Sequence, residues 1–199
     1  MSGDLKADSI LAAEFEYIAQ TAFQTNEDRA KVSTMYVLTV GSFLAAMLGL
    51  RTDLLQTQFI FLAFAILFAL LSLNAGITLL QLVRLRQAWY DSVQAMNQIK
   101  DYYVHNLDDL PLDGAFRWRQ STLPVKFKPW SVSFLMALQV TILGGAAVGA
   151  TMVFAGLALL SNTNTWLWIL AGFVGLIYAV DLIGLYWYLL RDKAGEDGA

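Results

Sequence analysis

SVSFLMALQVTILGGAAVGATMVFAGLALLSNTNTWLWILAGFVGLIYAVDLIGLYWYLL, residues 131–190, carries a single charged side chain, Asp181. Its two apolar halves, 131–160 and 165–190, each exceed the roughly 20 residues that cross a hydrocarbon core about 30 Å thick at about 1.5 Å per residue. Two earlier runs, 32–50 and 59–83, meet the same test. Backbone polar groups in lipid must be satisfied internally, and runs this long with so little alternation predict helices rather than barrel strands. The expected fold is all-α: an integral membrane four-helix bundle with cytoplasmic helical extensions of spans 1 and 2. Composition agrees. Of 199 residues, 57% are hydrophobic and only 15% charged, which excludes an ordinary soluble domain.

Topology follows from the basic residues. All but Arg51 lie before span 1, between spans 2 and 3, or after span 4, so the positive-inside rule places both termini and the central loop in the cytoplasm. The expected order is a cytoplasmic N-terminal helix (1–31), TM1 (32–50), an outer loop (51–58), TM2 (59–83), a cytoplasmic helix and loop (84–130), TM3 (131–160), an outer loop (161–164), TM4 (165–190) and a tail (191–199). The polar, acidic start does not resemble a cleavable signal peptide, which predicts that span 1 is a retained anchor. Compactness suggests a bacterial plasma membrane. With no cysteine, disulfides and thiolate metal sites are excluded.

The cytoplasmic segments have a pattern of their own. After Ser9, a plausible N-cap, Leu11, Phe15, Ile18, Ala22 and Thr25 form one helical stripe, and neither Pro nor Gly intervenes before Gly41. Leu82, Leu85, Trp89, Val93, Met96 and Tyr103 form a second stripe, with Arg84 and Arg86 placed largely off it, and Pro111 and Asp113-Gly114 end the helix. Spans 1 and 2 are joined by a short connection, so their extensions emerge side by side and are expected to pair as an antiparallel stalk. An interfacial helix is the competing reading, but the acidic face of Glu14, Glu16, Glu27 and Asp28 suits anionic lipid poorly.

Beyond the stalk, Phe116, Arg117, Trp118, Arg119, Lys126, Phe127, Lys128, Pro129 and Trp130 mix basic and aromatic residues. They are read as lipid-facing anchors, with Pro129 at a helix start; nucleic acid would require a larger basic surface. Catalytic signatures are lacking, and no cofactor is implied. His105, near Asp101, Asp108 and Asp109, reads as a solvated helix end. Gly145 and Gly149 form a GxxxG pattern, and Gly41, Ala45 and Gly49 a small-residue stripe; both are packing features that permit close helix approach.

Polar residues inside the spans share a depth. Asp181, Asn74, Gln139 and Thr39 lie eight to eleven residues from the nearest cytoplasmic basic residue, or roughly 12–17 Å above the boundary. If all face inward they form a polar layer, with Tyr178 and Tyr188 on the face of Asp181. Such a layer serves either as interhelical hydrogen bonding or as an ion or proton path. Val32, Ser33, Leu38 and Val40 recur as Val132, Ser133, Leu138 and Val140, a weak sign of a duplicated hairpin.

One resemblance can be placed on these residues. Asn26-Glu27-Asp28-Arg29 leads into a span, a tight hairpin follows, and the returning helix carries Trp89-Tyr90. Over residues 9–105 this layout resembles SLATT-type bacterial membrane effectors. That resemblance implies membrane assembly in a nucleotide-triggered defence system and carries over no site residues. The expectation is a non-enzymatic, homo-oligomeric membrane scaffold or effector component. A small channel or transporter using Asp181 is the alternative. The expected partners are the lipid bilayer and further copies of the chain, with no nucleic acid.

Overall fold

The structure is a computed structural model that describes residues 4–49, 58–106, 116, 119, 122–160 and 165–191, with side chains from residue 8 onward. Four helices follow in order: α1 (Asp4–Leu48), α2 (Gln58–Asn106), α3 (Val132–Leu159) and α4 (Thr165–Leu190). All four are long and apolar enough to cross a membrane. The stretch free of Pro and Gly does run unbroken into span 1, giving an α1 of 45 residues. α2 is 49 residues long and likewise extends past its apolar half. Both outer connections, including Arg51 and residues 161–164, and the expected helix stop at Pro111 and Asp113-Gly114 lie outside the described residues.

α3 begins at Val132, three residues after Pro129, which therefore precedes the helix and does not start it. Trp130 takes a left-handed backbone, φ 62°, and turns the chain so that Ser131 becomes the N-cap, its hydroxyl accepting from the Phe134 N–H at 3.3 Å. A bulky residue at positive φ is strained. At the far end Leu160 is extended, and its N–H closes the last turn onto the Gly156 carbonyl at 2.8 Å.

Packing centres on α3, which lies against both α2 and α4. A Cβ on Gly145 would stand 2.5 Å from the Gly175 carbonyl oxygen and 3.0 Å from the Ala179 Cβ, so α3 and α4 touch backbone to backbone. Gly149 continues the contact, with Ala171 opposite it. Gly144 does the same toward α2, where a Cβ would meet that of Ala75 at 2.6 Å. Farther along, Phe154 stacks on Phe68 at 5.6 Å and tilts against Phe64 at 5.2 Å. α1 leans on α2 through buried Tyr36, whose hydroxyl lies 3.5 Å from the Leu71 carbonyl. The small residues of α1 depart from expectation. Gly41, Ala45 and Gly49 are exposed, and a Cβ on Gly41 would meet nothing within 4 Å. Bulkier neighbours on α1, Tyr36 and Val40, hold the inward stripe instead.

Past the apolar half, the extensions of α1 and α2 pair. Ala22 and Thr25 of α1 and Val93 and Asn97 of α2 are buried, and the Lys100 ammonium stands over the Phe15 ring at 5.8 Å. Asn97 is 1% exposed, and its Nδ2 finds no hydrogen-bond partner among the described residues, while Oδ1 accepts from Lys100 Nζ at 3.4 Å. A buried polar residue of this kind fixes register at the expense of stability.

Two measurements test these contacts. Gly145→Leu overpacks the α3–α4 seam and is expected to lose about 1–3 kcal/mol, read as a lower thermal midpoint in detergent, whereas Gly41→Leu leaves the midpoint where it is. Asn97→Leu removes an unsatisfied amide and is expected to stabilise the stalk by about 1 kcal/mol, read as slower amide exchange in the first half of α1.

Candidate functional site

The six polar residues of the expected layer do not converge. Asp181, Gln139 and Tyr188 are exposed on the bundle surface; Thr39, Asn74 and Tyr178 are half-buried. Thr39 donates to the Met35 carbonyl of its own helix at 2.8 Å, a local bond that reaches no neighbour. Tyr178 does cross between helices, but it donates to the Ser72 carbonyl of α2 at 2.7 Å. Tyr188 lies under the Arg191 guanidinium at 4.5 Å. The inward stripe of α4 is Ala171, Gly175, Leu182, Tyr186 and Leu190, selected by the glycine contacts with α3. Ala179 faces Gly145, and Asp181, two residues on, is therefore turned about 160° away from α3. Between the helices lie Ala75, Leu79, Val140, Thr141 and Leu182, all buried. The Thr141 hydroxyl donates to its own helix at Leu138, 2.9 Å away.

The polar cluster that is built lies at the junction of bundle and stalk. Arg29 and Arg86 are both buried, at 7% and 8% exposure. Arg29 donates from Nη1 to the Ser133 hydroxyl at the start of α3 and from Nη2 to the Asn26 side-chain oxygen. Arg86 donates from Nε to the Lys126 carbonyl at 3.1 Å and from Nη2 to the Val125 carbonyl at 3.5 Å, and it stacks over Trp89 at 4.4 Å. Tyr186, buried at the foot of α4, packs edge-on against Phe127 and close to Phe134. Gln87 adds a tie from α2 to the Leu189 carbonyl of α4 at 3.2 Å.

Electrostatics mark this cluster as unusual. Burial pushes the Arg29 guanidinium below its ordinary value, and the positive charge of Arg86 pushes it further. Burial also lowers Arg86, with Tyr186 opposing. Among the described residues no carboxylate comes within 4 Å of either arginine; the ion pairs present join Lys31 to Glu27 and Asp28, and Arg119 to Asp101. Both cations are held by neutral oxygens and aromatic faces, and arginine keeps its proton in such a setting. Chemically this is a clamp: its donors are directed at fixed acceptors, leaving little for acid–base work.

The signal for it was present in the sequence. The stripe ending at Thr25 continues by helical steps through Arg29, Ser33, Tyr36 and Val40, all buried. Arg86 likewise lies on the inward stripe of α2 with Leu79, Val83, Val93 and Asn97, not away from it. The described residues of the basic and aromatic loop also touch α2 and α3: Arg119 pairs with Asp101 at 3.0 Å, Lys100 stands over Phe116 at 5.9 Å, Lys126 over Tyr90 at 4.7 Å, and Phe127 meets Phe134 edge-on. Lys128, Pro129 and Trp130 are exposed just before α3, Trp130 at 79%. Arg117 and Trp118 lie outside the described residues. His105 is exposed at the end of α2, with Nδ1 2.6 Å from the Asp101 carbonyl oxygen; Asp108 and Asp109 lie outside the described residues.

Open clefts flank the bundle. One of about 630 Å³ runs between α3 and α4 past Gly149, Gly172 and Trp168. Another of about 580 Å³ lies between α1 and α2, where Lys31 and Arg84 stand above Met35, Ile77 and Leu80. No family model, curated protein or solved structure matches this chain.

Arg86→Ala is expected to release the loop, since hydrogen bonds to a charged group contribute about 1.5–3 kcal/mol. Amide exchange over 123–128 then rises at least tenfold, and Arg86→Lys, lacking the planar fork, does not restore protection.

Proposed function

We propose that this protein is a non-enzymatic integral membrane protein that acts as an oligomeric scaffold or effector component in a bacterial plasma membrane, with both termini in the cytoplasm. The observation that carries the reading is the continuity of α1 and α2, which pass from the apolar bundle into a paired polar stalk. At the crossing point Arg29 and Arg86 tie those two helices to Ser133 and to the loop before α3. A build of this kind couples whatever engages the stalk to the arrangement of helices in the bilayer. The distribution of basic residues supports the cytoplasmic placement of the stalk.

The layout shared with SLATT-type effectors points the same way, toward assembly in the membrane. The channel alternative depends on a polar path through the bundle. Its leading residue, Asp181, is on the outer surface of α4, and the helices meet through Leu, Val, Ala and Thr.

Reconstitution separates the two readings. Liposomes holding the wild type are expected to pass ions no faster than empty ones, and nanodisc mass measurements to give several copies per particle. An ion flux that Asp181→Asn abolishes would replace the scaffold with a channel.

A further inference from the structure

Asp181 and Gln139 are both exposed on surfaces of the bundle that hydrocarbon would otherwise cover. A carboxylate in that setting calls for a partner. The helices themselves fix how high each residue stands. Gly145 lies against Gly175 and Ala179; counting six residues along α3 to Gln139, and about four along α4 to Asp181, brings the two within about 3 Å of one level. Their directions differ. Gln139 is turned about 120° from the α3 face that meets α4 and about 140° from Gly144, which meets α2. Asp181 points away from α3 altogether. A single chain therefore cannot join them.

We infer that Asp181 of one copy accepts a hydrogen bond from the Gln139 amide of a second copy, so that the outward face of α4 docks on the outward face of α3. Copies inserted in the same orientation hold these residues at one height, and the chemistry is complementary: an acceptor on one face, two amide donors on the other. Gly184 lies one turn from Asp181 on the same side, is exposed, and has nothing within 4 Å of an added Cβ, which permits close backbone approach. Because the two faces are different, the contact is head-to-tail and repeats from copy to copy until a ring closes. The inference rests on the oligomeric reading above and adds its interface.

The absence of cysteine makes the test direct. One tagged copy carries Gly184→Cys and a second, differently tagged copy carries Leu135→Cys, on the faces of Asp181 and Gln139 respectively, with Asp181 and Gln139 left intact. Co-expressed in membranes and treated with a short bifunctional thiol reagent, the pair is expected to cross-link at least tenfold more than either copy alone. Asp181→Leu in the same background is expected to abolish the cross-link and reduce the nanodisc mass to one copy, while Asp181→Asn, which keeps an acceptor, preserves both. Cross-linking of the Gly184→Cys copy to itself as strongly as to its counterpart would overturn the inference in favour of a two-fold face. A multi-copy mass without the mixed cross-link, or one unmoved by Asp181→Leu, would overturn the interface and leave the scaffold standing. A single-copy wild type would overturn both.

Discussion

The approach of α3 and α4 at Gly145 and Gly175 is closer than any side chain allows, and the placement of the other elements follows from it. In hydrocarbon, helices gain little from burying apolar surface against one another; close van der Waals contact and interhelical hydrogen bonds hold them. The glycines of α3 supply that contact on two sides, Gly144 toward α2 and Gly145 toward α4. Once α4 is seated on its glycine and alanine stripe its rotation is fixed. Tyr178 then turns toward Ser72, and Asp181 turns outward.

At the polar end the principle changes from contact to hydrogen bonding. Two arginines without a nearby carboxylate would repel each other and pay a desolvation cost. Each is held by neutral acceptors: the Ser133 hydroxyl and the Asn26 side chain for Arg29, and the carbonyls of Val125 and Lys126 for Arg86. The clamp joins α1 to α3 and α2 to the returning loop, where packing alone would leave polar ends loose. Trp89 and Tyr186 close it with aromatic surface.

Helix number and the uninterrupted passage of α1 out of its apolar half were legible because length and hydropathy are properties along the chain. Height can be counted for the same reason: from the Gly145 contact, Gln139 and Asp181 fall within about 3 Å of one level. Direction cannot be counted. Whether Asp181 or Leu182 faces inward depends on which side of α4 meets a glycine on another helix, and no count along one helix contains that. Arg29 lay between these cases: it continues the stripe of Ala22 and Thr25 by helical steps, but the stripe does not say which acceptor on α3 it will meet. The segment from Phe116 to Trp130 has no period to read, and where Arg119 and Lys126 are described they sit against α2 through contacts with Asp101 and Tyr90.

Because α1 and α2 are unbroken helices, the stalk and the apolar half of each would tilt together. A stalk of about 22 residues reaches roughly 33 Å. Tilting the pair by roughly 10° in a thinner bilayer carries its tip sideways by about 6 Å. A small tilt at the base, where Arg29 and Arg86 sit, would thus be magnified at a tip roughly 33 Å away.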